Sequence, residues 1–301
     1  MLQEFSLTSQ LASIQMETGS TIVRPETISA STVGFGESEQ LGPVVVKVYS
    51  PSGFPENEFR AFETFAPSGI KIPSLIEQGQ NESGVYRMFS RLKGKDGTMV
   101  LETLDIQKTG CLIRNVCEEL LKLRELGSYS SIMGLPGVTK GWLNPSEMSL
   151  QDFVSVSNSR VFKYLSSEQS TLLDVDEHIR WINSFLPRLS TTFYYTHGDL
   201  TLNNIILDDG ELSGFVDLEY SYIGPQEKDL GDLFFSLAIK SYNFPIEQLL
   251  THVKPEFSKP DILFYLVGRC IIELRILVKS NDLEAANSII GIIKGLRSVI
   301  I

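Results

Sequence analysis

The chain has 301 residues, of which 42% are hydrophobic and 21% charged, and its formal net charge at pH 7 is -11. A composition in this range predicts a folded globular protein and excludes a disordered chain or a coiled coil. The acidic balance makes nucleic acid and anionic lipid poor candidate partners, and the length allows two ordinary domains or one domain of two lobes.

The first 20 residues lack the basic and apolar segments of a signal peptide, so we expect a cytoplasmic protein. Near the other end, the apolar stretch 261–278 contains Arg269, Glu273 and Arg275, which are costly in a bilayer. This stretch therefore predicts a buried helix and no membrane span. The three cysteines are an odd number without CxxC spacing, which indicates reduced, buried thiols.

The first third of the chain is rich in strand signals. β-Branched and aromatic runs, separated by Gly, Pro and Ser, predict strands at "TISAST" (27–32), "PVVVKVYS" (43–50) and "GVYRMFSRL" (84–92). Phe59, Phe62 and Phe65 recur at a spacing of three after Pro55 and predict a short helix over 55–66. The expected order in this part is β, β, α, β, β.

After Gly94 the pattern becomes helical. Apolar residues at positions 112, 116, 120, 123 and 126 form one stripe of helical period. Further helices are predicted at about 174–187, 229–241 and 260–298. The chain thus divides into a small β-rich lobe, residues 1–92, and a larger helical lobe, residues 93–301, joined near 89–94.

A cluster of carboxylates between 197 and 233 suggests chemistry. Two apolar runs flank the Asp209–Gly210 pair, which is the strongest local signal for a β-hairpin. Closing this hairpin brings Asn204, before its first strand, beside Asp217, after its second. Amide and carboxylate oxygens are ligands that Mg²⁺ prefers, so the pair predicts half of a magnesium site. Asp199 lies five residues before Asn204, at the position of a catalytic base.

The run His197-Gly198-Asp199-Leu200, followed by Asn204 and Asp217, resembles the catalytic loop and metal-binding segment of the aminoglycoside phosphotransferase and choline kinase superfamily. The resemblance implies an α+β fold of the protein-kinase type, with a small β-rich lobe that carries one key helix and a larger, mostly helical lobe. It also implies an enzyme that uses ATP and Mg²⁺ to phosphorylate a hydroxyl group of a small molecule.

The same resemblance implies roles in the first lobe. Lys47 stands where the family has its phosphate-contacting lysine, and Glu58 stands where that lysine has its partner. The Ser90 carbonyl and the Leu92 amide correspond to the hinge groups that bind adenine. Gly34 and Gly36, in "GFGESE" (34–39), are candidates for a loop over the phosphates, and a simple turn is the alternative.

In the second lobe, the resemblance implies that His197 braces the catalytic loop and that Asp229 anchors this loop from below. Glu219 has three open roles, as a further magnesium ligand, as a substrate contact or as a cap of the next loop. His178 and His252 have no partner motif, and we expect both at the surface.

Two other functions remain open at this stage. A protein Ser or Thr kinase of the same fold is disfavoured, because only twelve residues separate Asp217 from Asp229 and leave no room for an activation segment. The second open function is that of a nucleotide-binding pseudokinase. The acceptor is open among aminoglycosides, amino alcohols and sugars, as are the choice of ATP or GTP and the oligomeric state.

Overall fold

The computed structural model describes residues 21–28, 31–38, 40–50, 53–81, 84–139, 143, 147–240 and 244–299. Its first part is an antiparallel sheet of five strands in the order β1-β2-β3-β5-β4. The strands are β1 Thr21–Ile28, β2 Ser31–Ser38, β3 Gly42–Tyr49, β4 Leu75–Asn81 and β5 Gly84–Ser90.

Two predictions about these strands need correction. The run 27–32 was expected to be one strand, but it spans the end of β1 and the start of β2, which pair as a hairpin with Ile28 opposite Ser31. The expected loop at 34–39 is also wrong, because Gly34 and Gly36 lie inside β2 and pair with Val46 and Val44 of β3. The sheet therefore has one strand more than the pattern predicted before the first helix.

Side chains of strand β3 alternate between the two faces of the sheet, and this alternation separates core residues from site residues. Val44, Val46 and Val48 are buried on one face, where they pack with Met88 of β5. Successive side chains of a strand point to opposite faces, so Lys47 lies on the face away from these valines.

The helix after β3, α1 Pro55–Phe65, begins with a proline in its first turn, where no amide donor is lost. Phe62 and Phe65 are buried as predicted, and Phe59 is only partly buried. The buried face also includes two polar residues, Asn57 and Glu58. Polar residues are seldom buried in a helix without a partner, so this face points to a site.

The rest of the chain is mainly helical, and its core includes Leu112, Val116, Leu120 and Leu123 of the predicted stripe. The helices are α2 Gly97–Val100, α3 Ile106–Arg124, α4 Leu150–Phe162, α5 Ser167–Leu173, α6 Val175–Phe185, α7 Gln226–Phe234, α8 Ile246–Thr251, α9 Lys259–Lys279 and α10 Leu283–Val299. A π-helical turn, Phe235–Lys240, continues α7. The segment 260–298 is two helices, separated where Asn281 adopts φ 61.

Two small sheets carry the carboxylate-rich segment. β7 Tyr194–Thr196 pairs with β10 Tyr222–Gly224, and β8 Ile205–Asp208 pairs with β6 Lys95–Asp96 and β9 Glu211–Phe215. Asp209 and Gly210 join β8 to β9 with φ 51 and 87, the left-handed pair that a two-residue hairpin turn requires. The predicted hairpin is therefore confirmed.

Two expectations about single residues are wrong. His178 is 1% exposed and packs against Phe162 and Trp181, so it is not a surface residue. Cys111 is exposed, whereas Cys117 and Cys270 are buried as expected. Within the described part of the chain, no helix is long and apolar enough to cross a membrane.

Candidate active site

The loop after β7 is held from below by one buried carboxylate. The amides of His197 and Gly198 donate to Asp229 Oδ2 and Oδ1 at 2.8 and 2.9 Å. Asp229 lies in the first turn of α7 and is fully buried. Burial raises the pKa of Asp229 to about 6, although nearby His197 and Lys228 and the Gly198 amide oppose this shift.

The imidazole of His197 spans the inside of the same loop. Its Nε2 lies 2.9 Å from the Val216 carbonyl, and the Asp199 amide donates to its Nδ1 at 3.4 Å. A neutral ring with its proton on Nε2 satisfies both contacts. Because both nitrogens face the backbone, the ring connects the loop to the hairpin and is not directed at an acceptor.

Gly198, the second residue of this loop, lies where no side chain fits. Its φ is +88, and a Cβ there would lie 2.1 Å from the Tyr220 carbonyl oxygen. Protein kinases carry Arg at the corresponding position, and the close approach of the 220 backbone excludes any such residue here.

Asn204 fixes the orientation of Asp199. The Asn204 amide nitrogen donates to the Asp199 carbonyl at 2.8 Å and to Asp199 Oδ2 at 3.3 Å. These two contacts use the nitrogen end of the amide and leave Oδ1 for another partner. The turn Leu202–Asn204 is tied to the end of β9 by a bond from the Val216 amide to the Asn204 carbonyl, at 3.0 Å.

Three carboxylates surround the ammonium group of Lys47. Its Nζ lies 2.6 Å from Asp217, 3.1 Å from Glu58 and 3.3 Å from Glu219. Burial lowers the pKa of Lys47, but these carboxylates, together with Tyr49, raise it well above its ordinary value. Lys47 is therefore a buried cation that joins the sheet and α1 to the segment after β9.

The segment after β9 is itself constrained. Asp217 adopts φ 65, which is unusual for a residue with a side chain. Asn57 of α1 donates to the carbonyls of Glu219 and Ser221 at 2.8 and 2.9 Å. The Leu218 amide donates to Glu58 Oε1 at 3.2 Å. Helix α1 thus holds the backbone on which Asp217 and Glu219 are mounted.

A cavity of about 540 Å³, the cleft cavity, lies between the five-stranded sheet and the β8–β9 hairpin. Phe35, Val45 and Phe89 contribute apolar walls, and Ser90 and Leu92, predicted as hinge residues, also belong to the lining. Its polar lining includes Lys47, Glu58, Asn204 and Asp217. The structure therefore gathers these predicted site residues around one space.

Several predicted site residues, Asp199 among them, do not line this cleft cavity. The Glu219 side chain is 2% exposed, lies beside Lys47 and is not in the cavity lining. Burial raises the pKa of Glu219, against the nearby positive charge of Lys47. Gly34 and Gly36 are also outside the lining, and their strand contributes Val33 and Phe35 instead.

Sequence reasoning missed two polar residues at the site. Asn57 is one, and its burial gives no sequence signal beyond its place in an amphipathic helix. Arg269 is the other, because its Nη1 lies 3.0 Å from Asp199 Oδ1. Its signal was present, since an arginine inside an apolar helix needs a partner, but the sequence does not identify that partner.

A five-stranded sheet, a helical part and a Lys–Glu–Asp cluster at the cleft between them define the class of protein-kinase-like phosphotransferases. The chain matches the model of the phosphotransferase enzyme family over residues 23–252, and it belongs to this family. The family resemblance of the sequence is therefore confirmed. No curated protein sequence matches the chain.

Solved structures of aminoglycoside phosphotransferases share the fold. The structure of APH(4)-Ia has 14% identity and a TM-score of 0.68, covering 97% of this chain and 98% of that one. A GDP complex of a mutant aminoglycoside 2'-phosphotransferase-IIIa has 12% identity and a TM-score of 0.66, covering 97% of each chain.

A third neighbour is APH(3'')-Id from Streptomyces rimosus in complex with ADP and streptomycin. It has 18% identity and a TM-score of 0.57, with 87% of this chain and 96% of that one covered. These similarities confirm the predicted α+β, two-lobed fold of the protein-kinase type.

Proposed function

We propose that the chain transfers the γ-phosphoryl group of ATP to a hydroxyl group of a small molecule. The observation that carries the proposal is the arrangement of Lys47, Asn204 and Asp217 around one cleft cavity, with Asp199 hydrogen-bonded to Asn204. In this proposal residues 1–92 form the nucleotide-binding lobe and residues 93–301 form the catalytic and acceptor-binding lobe.

The nucleotide would occupy the cleft cavity. Adenine would lie against Val45 and Phe89, with its polar edge on the Ser90 carbonyl and the Leu92 amide. Its phosphates would lie near Lys47, which Glu58 holds at 3.1 Å. A lysine in this position supplies a point charge to phosphate oxygens and needs a buried partner to fix its direction.

The donor set fits magnesium. Asn204 keeps its amide oxygen available because its nitrogen is bonded to Asp199, and the Asp217 side chain is 30% exposed at the cleft cavity. Mg²⁺ is usually bound by one or two carboxylates with phosphate and water oxygens, and it would neutralise charge on the phosphates. We assign Asn204 and Asp217 to this ion. Glu219, a candidate ligand by its place in the sequence, is assigned to Lys47 instead.

In the transfer step, the acceptor oxygen forms a bond to the γ-phosphorus. The bond from that phosphorus to the β–γ bridging oxygen breaks, and ADP leaves. Asp199 orients the hydroxyl and takes its proton late, because a loose transition state needs little activation of the nucleophile. Positioning supplies most of the rate, and His197 takes no part in proton transfer.

A small acceptor is favoured over a protein. The residues between Asp217 and α7 form the turn Leu218–Tyr220 and strand β10, and α7 begins at Gln226. This short connection holds no extended segment of the kind on which protein kinases seat a substrate peptide.

The test is ADP release in a coupled assay with aminoglycosides, amino alcohols and sugars as acceptors. Asp199→Ala should abolish transfer while nucleotide binding survives, and Asp217→Ala should change the magnesium dependence. A protein that binds Mg-nucleotide but releases no ADP with any acceptor is instead a nucleotide-binding module. Loss of nucleotide affinity in Asp199→Ala, with transfer intact, contradicts the role given to Asp199.

A further inference from the structure

A second cavity lies behind the catalytic loop, among α4, α6, α7 and α9, and we name it the helical cavity. Its volume is about 160 Å³, and Phe153, Trp181 and Phe264 contribute ring walls. A cavity of roughly 150 Å³ is large enough for one benzene-sized ring. The cavity therefore has room for a single ring.

The helical cavity adjoins Asp199 through two of its lining residues. Arg269 lines the cavity, and its Nη1 lies 3.0 Å from Asp199 Oδ1. Lys228 also lines it, and its Nζ donates to the Gly198 carbonyl at 2.9 Å. A molecule in this cavity is thus one side chain away from the carboxylate assigned to the acceptor hydroxyl.

Five residues of the cavity lining each have a buried side-chain polar atom that lacks a hydrogen-bond partner within the described part of the chain. They are His178 Nδ1, Trp181 Nε1, Asp232 Oδ1, Tyr265 Oη and Arg269 Nε. Buried polar atoms are nearly always paired, so five unpaired atoms on residues that surround one cavity point to a polar partner close by. The set mixes donors and acceptors, which suits a ring that carries hydroxyl groups.

Gly268 lies at the wall of the cavity. It lies inside α9 and lines the cavity, and a Cβ at this position would meet nothing within 4 Å. Glycine inside a helix costs about 0.5–1 kcal/mol relative to alanine, and no close packing requires it here. A larger side chain at this position can therefore extend into the cavity.

The charge of the lining opposes a polycation. Lys228 pairs with Asp232 at 2.7 Å and Arg269 pairs with Asp199 at 3.0 Å, so Arg275 supplies the remaining positive charge of the lining. Burial and the Arg297 charge lower the pKa of His178 to about 3, so this ring adds no charge at neutral pH. No carboxylate of the described residues pairs with Arg275. Its guanidinium is the natural partner of an anionic group.

We infer that the helical cavity binds the acceptor, and that this acceptor is a single hydroxylated ring, uncharged or bearing one carboxylate, rather than a polycationic aminoglycoside. The inference rests on the proposed function, since it names the acceptor class of that site. The ring would pack among the aromatic walls, its anionic group would face Arg275, and its reacting hydroxyl would pass Arg269 to reach Asp199.

The test uses three probes that share a hydroxymethylphenyl ring and carry a neutral, an anionic or a cationic para position: benzyl alcohol, 4-(hydroxymethyl)benzoate and 4-(hydroxymethyl)benzylamine. Trp142→Phe leaves Trp181 as the single tryptophan of the chain, so its fluorescence reports binding. We expect the benzoate to bind best and the benzylamine at least about tenfold more weakly. Arg275→Gln should remove most of this difference. With MgATP, the benzoate should also change the rate of ADP release.

Gly268→Phe fills the cavity and should abolish the Trp181 response and the effect on ADP release. The matched control is Gly291→Phe in α10, where a Cβ also meets nothing within 4 Å. The inference is overturned if no probe binds, if binding survives in Gly268→Phe, if the benzylamine binds best, or if the benzoate leaves ADP release unchanged. Failure to bind Mg-ADP, followed separately by thermal shift, overturns the proposed function instead.

Discussion

Arg269 Nη1 lies 3.0 Å from Asp199 Oδ1, so the carboxylate assigned to the acceptor hydroxyl is paired with a cation from α9. The other oxygen, Oδ2, accepts from the Asn204 amide at 3.3 Å. Both oxygens of Asp199 are therefore held, one from the hairpin side and one from the helical side. This pairing makes Arg269 a positioning residue for the proposed transfer.

Arg269→Met should lower kcat about 10- to 100-fold while the KM for ATP stays unchanged, because the Lys47 cluster does not involve Arg269. Arg269→Lys keeps the charge and should recover part of the loss. Steady-state ADP release measures both constants. Lys279→Met, at the exposed end of α9, is the control and should leave both unchanged. A rise in the KM for ATP with kcat intact contradicts this role.

The variant Glu219→Gln tests whether Glu219 is a metal ligand or a buried partner of Lys47. Burial raises the pKa of Glu219 above its ordinary value. A group with a raised pKa contributes its full stability below its ordinary pKa and loses it as pH rises. Glutamine does not ionise, so the variant should melt at a higher temperature than the wild type at pH 7.5, with a smaller gain near pH 4.5.

The same variant should need no more Mg²⁺ for half-maximal ADP release than the wild type, whereas Asp217→Asn should need more. A melting series across pH and a magnesium titration provide the two measurements. If Glu219→Gln shifts the magnesium requirement as much as Asp217→Asn does, Glu219 is a metal ligand after all.

Local rules predicted the hairpin and its neighbours well. Asp209–Gly210 has a conformational preference that few other pairs share, so the turn and the approach of Asn204 to Asp217 followed from sequence. The order of the strands in the sheet did not follow from the sequence. Residues 27–32 have strand propensity throughout, and propensity does not show where a chain reverses.

Contacts between distant segments account for what sequence reasoning missed. Asn57 bonds to the backbone of residue 219, and Arg269 pairs with a carboxylate 70 residues earlier in the chain. Neither partner choice is encoded in a local pattern, because it depends on how α1 and α9 pack. His178 was misplaced for the same reason, since a lone histidine on a helix gives no sign of the aromatic cluster that covers it.

Asp229→Asn should destabilise the chain, because one amide oxygen cannot accept from both the His197 and Gly198 amides. Leaving one buried donor unpaired costs about 1–3 kcal/mol. The effect should depend on pH. Burial raises the pKa of Asp229 from 3.8 to about 6 in the folded protein. Its contribution to stability is therefore complete below pH 4 and declines as pH rises through 6.

The variant should thus fall furthest below the wild type near pH 4.5 and least at pH 7.5, with the gap changing by roughly 3 kcal/mol at most. Urea unfolding of both proteins across this range gives the difference directly. Asp176→Asn, at an exposed position in α6, is the control for loss of a carboxylate outside the loop. A gap for Asp229→Asn that widens with rising pH contradicts the assignment.

Lys47→Met should cost both stability and nucleotide binding. Removing this cation leaves Glu58, Asp217 and Glu219 facing one another around a site where Lys47 is 6% exposed. An unpaired buried charge costs roughly 3–5 kcal/mol.

Adding Glu58→Gln removes one of the repelling carboxylates, so the double variant should melt above Lys47→Met. The phosphate contact is still absent in it, so Mg-ADP should raise its melting temperature far less than that of the wild type. Thermal shifts with and without Mg-ADP measure both effects, and a double variant that regains the full wild-type shift would show that Lys47 acts only through folding.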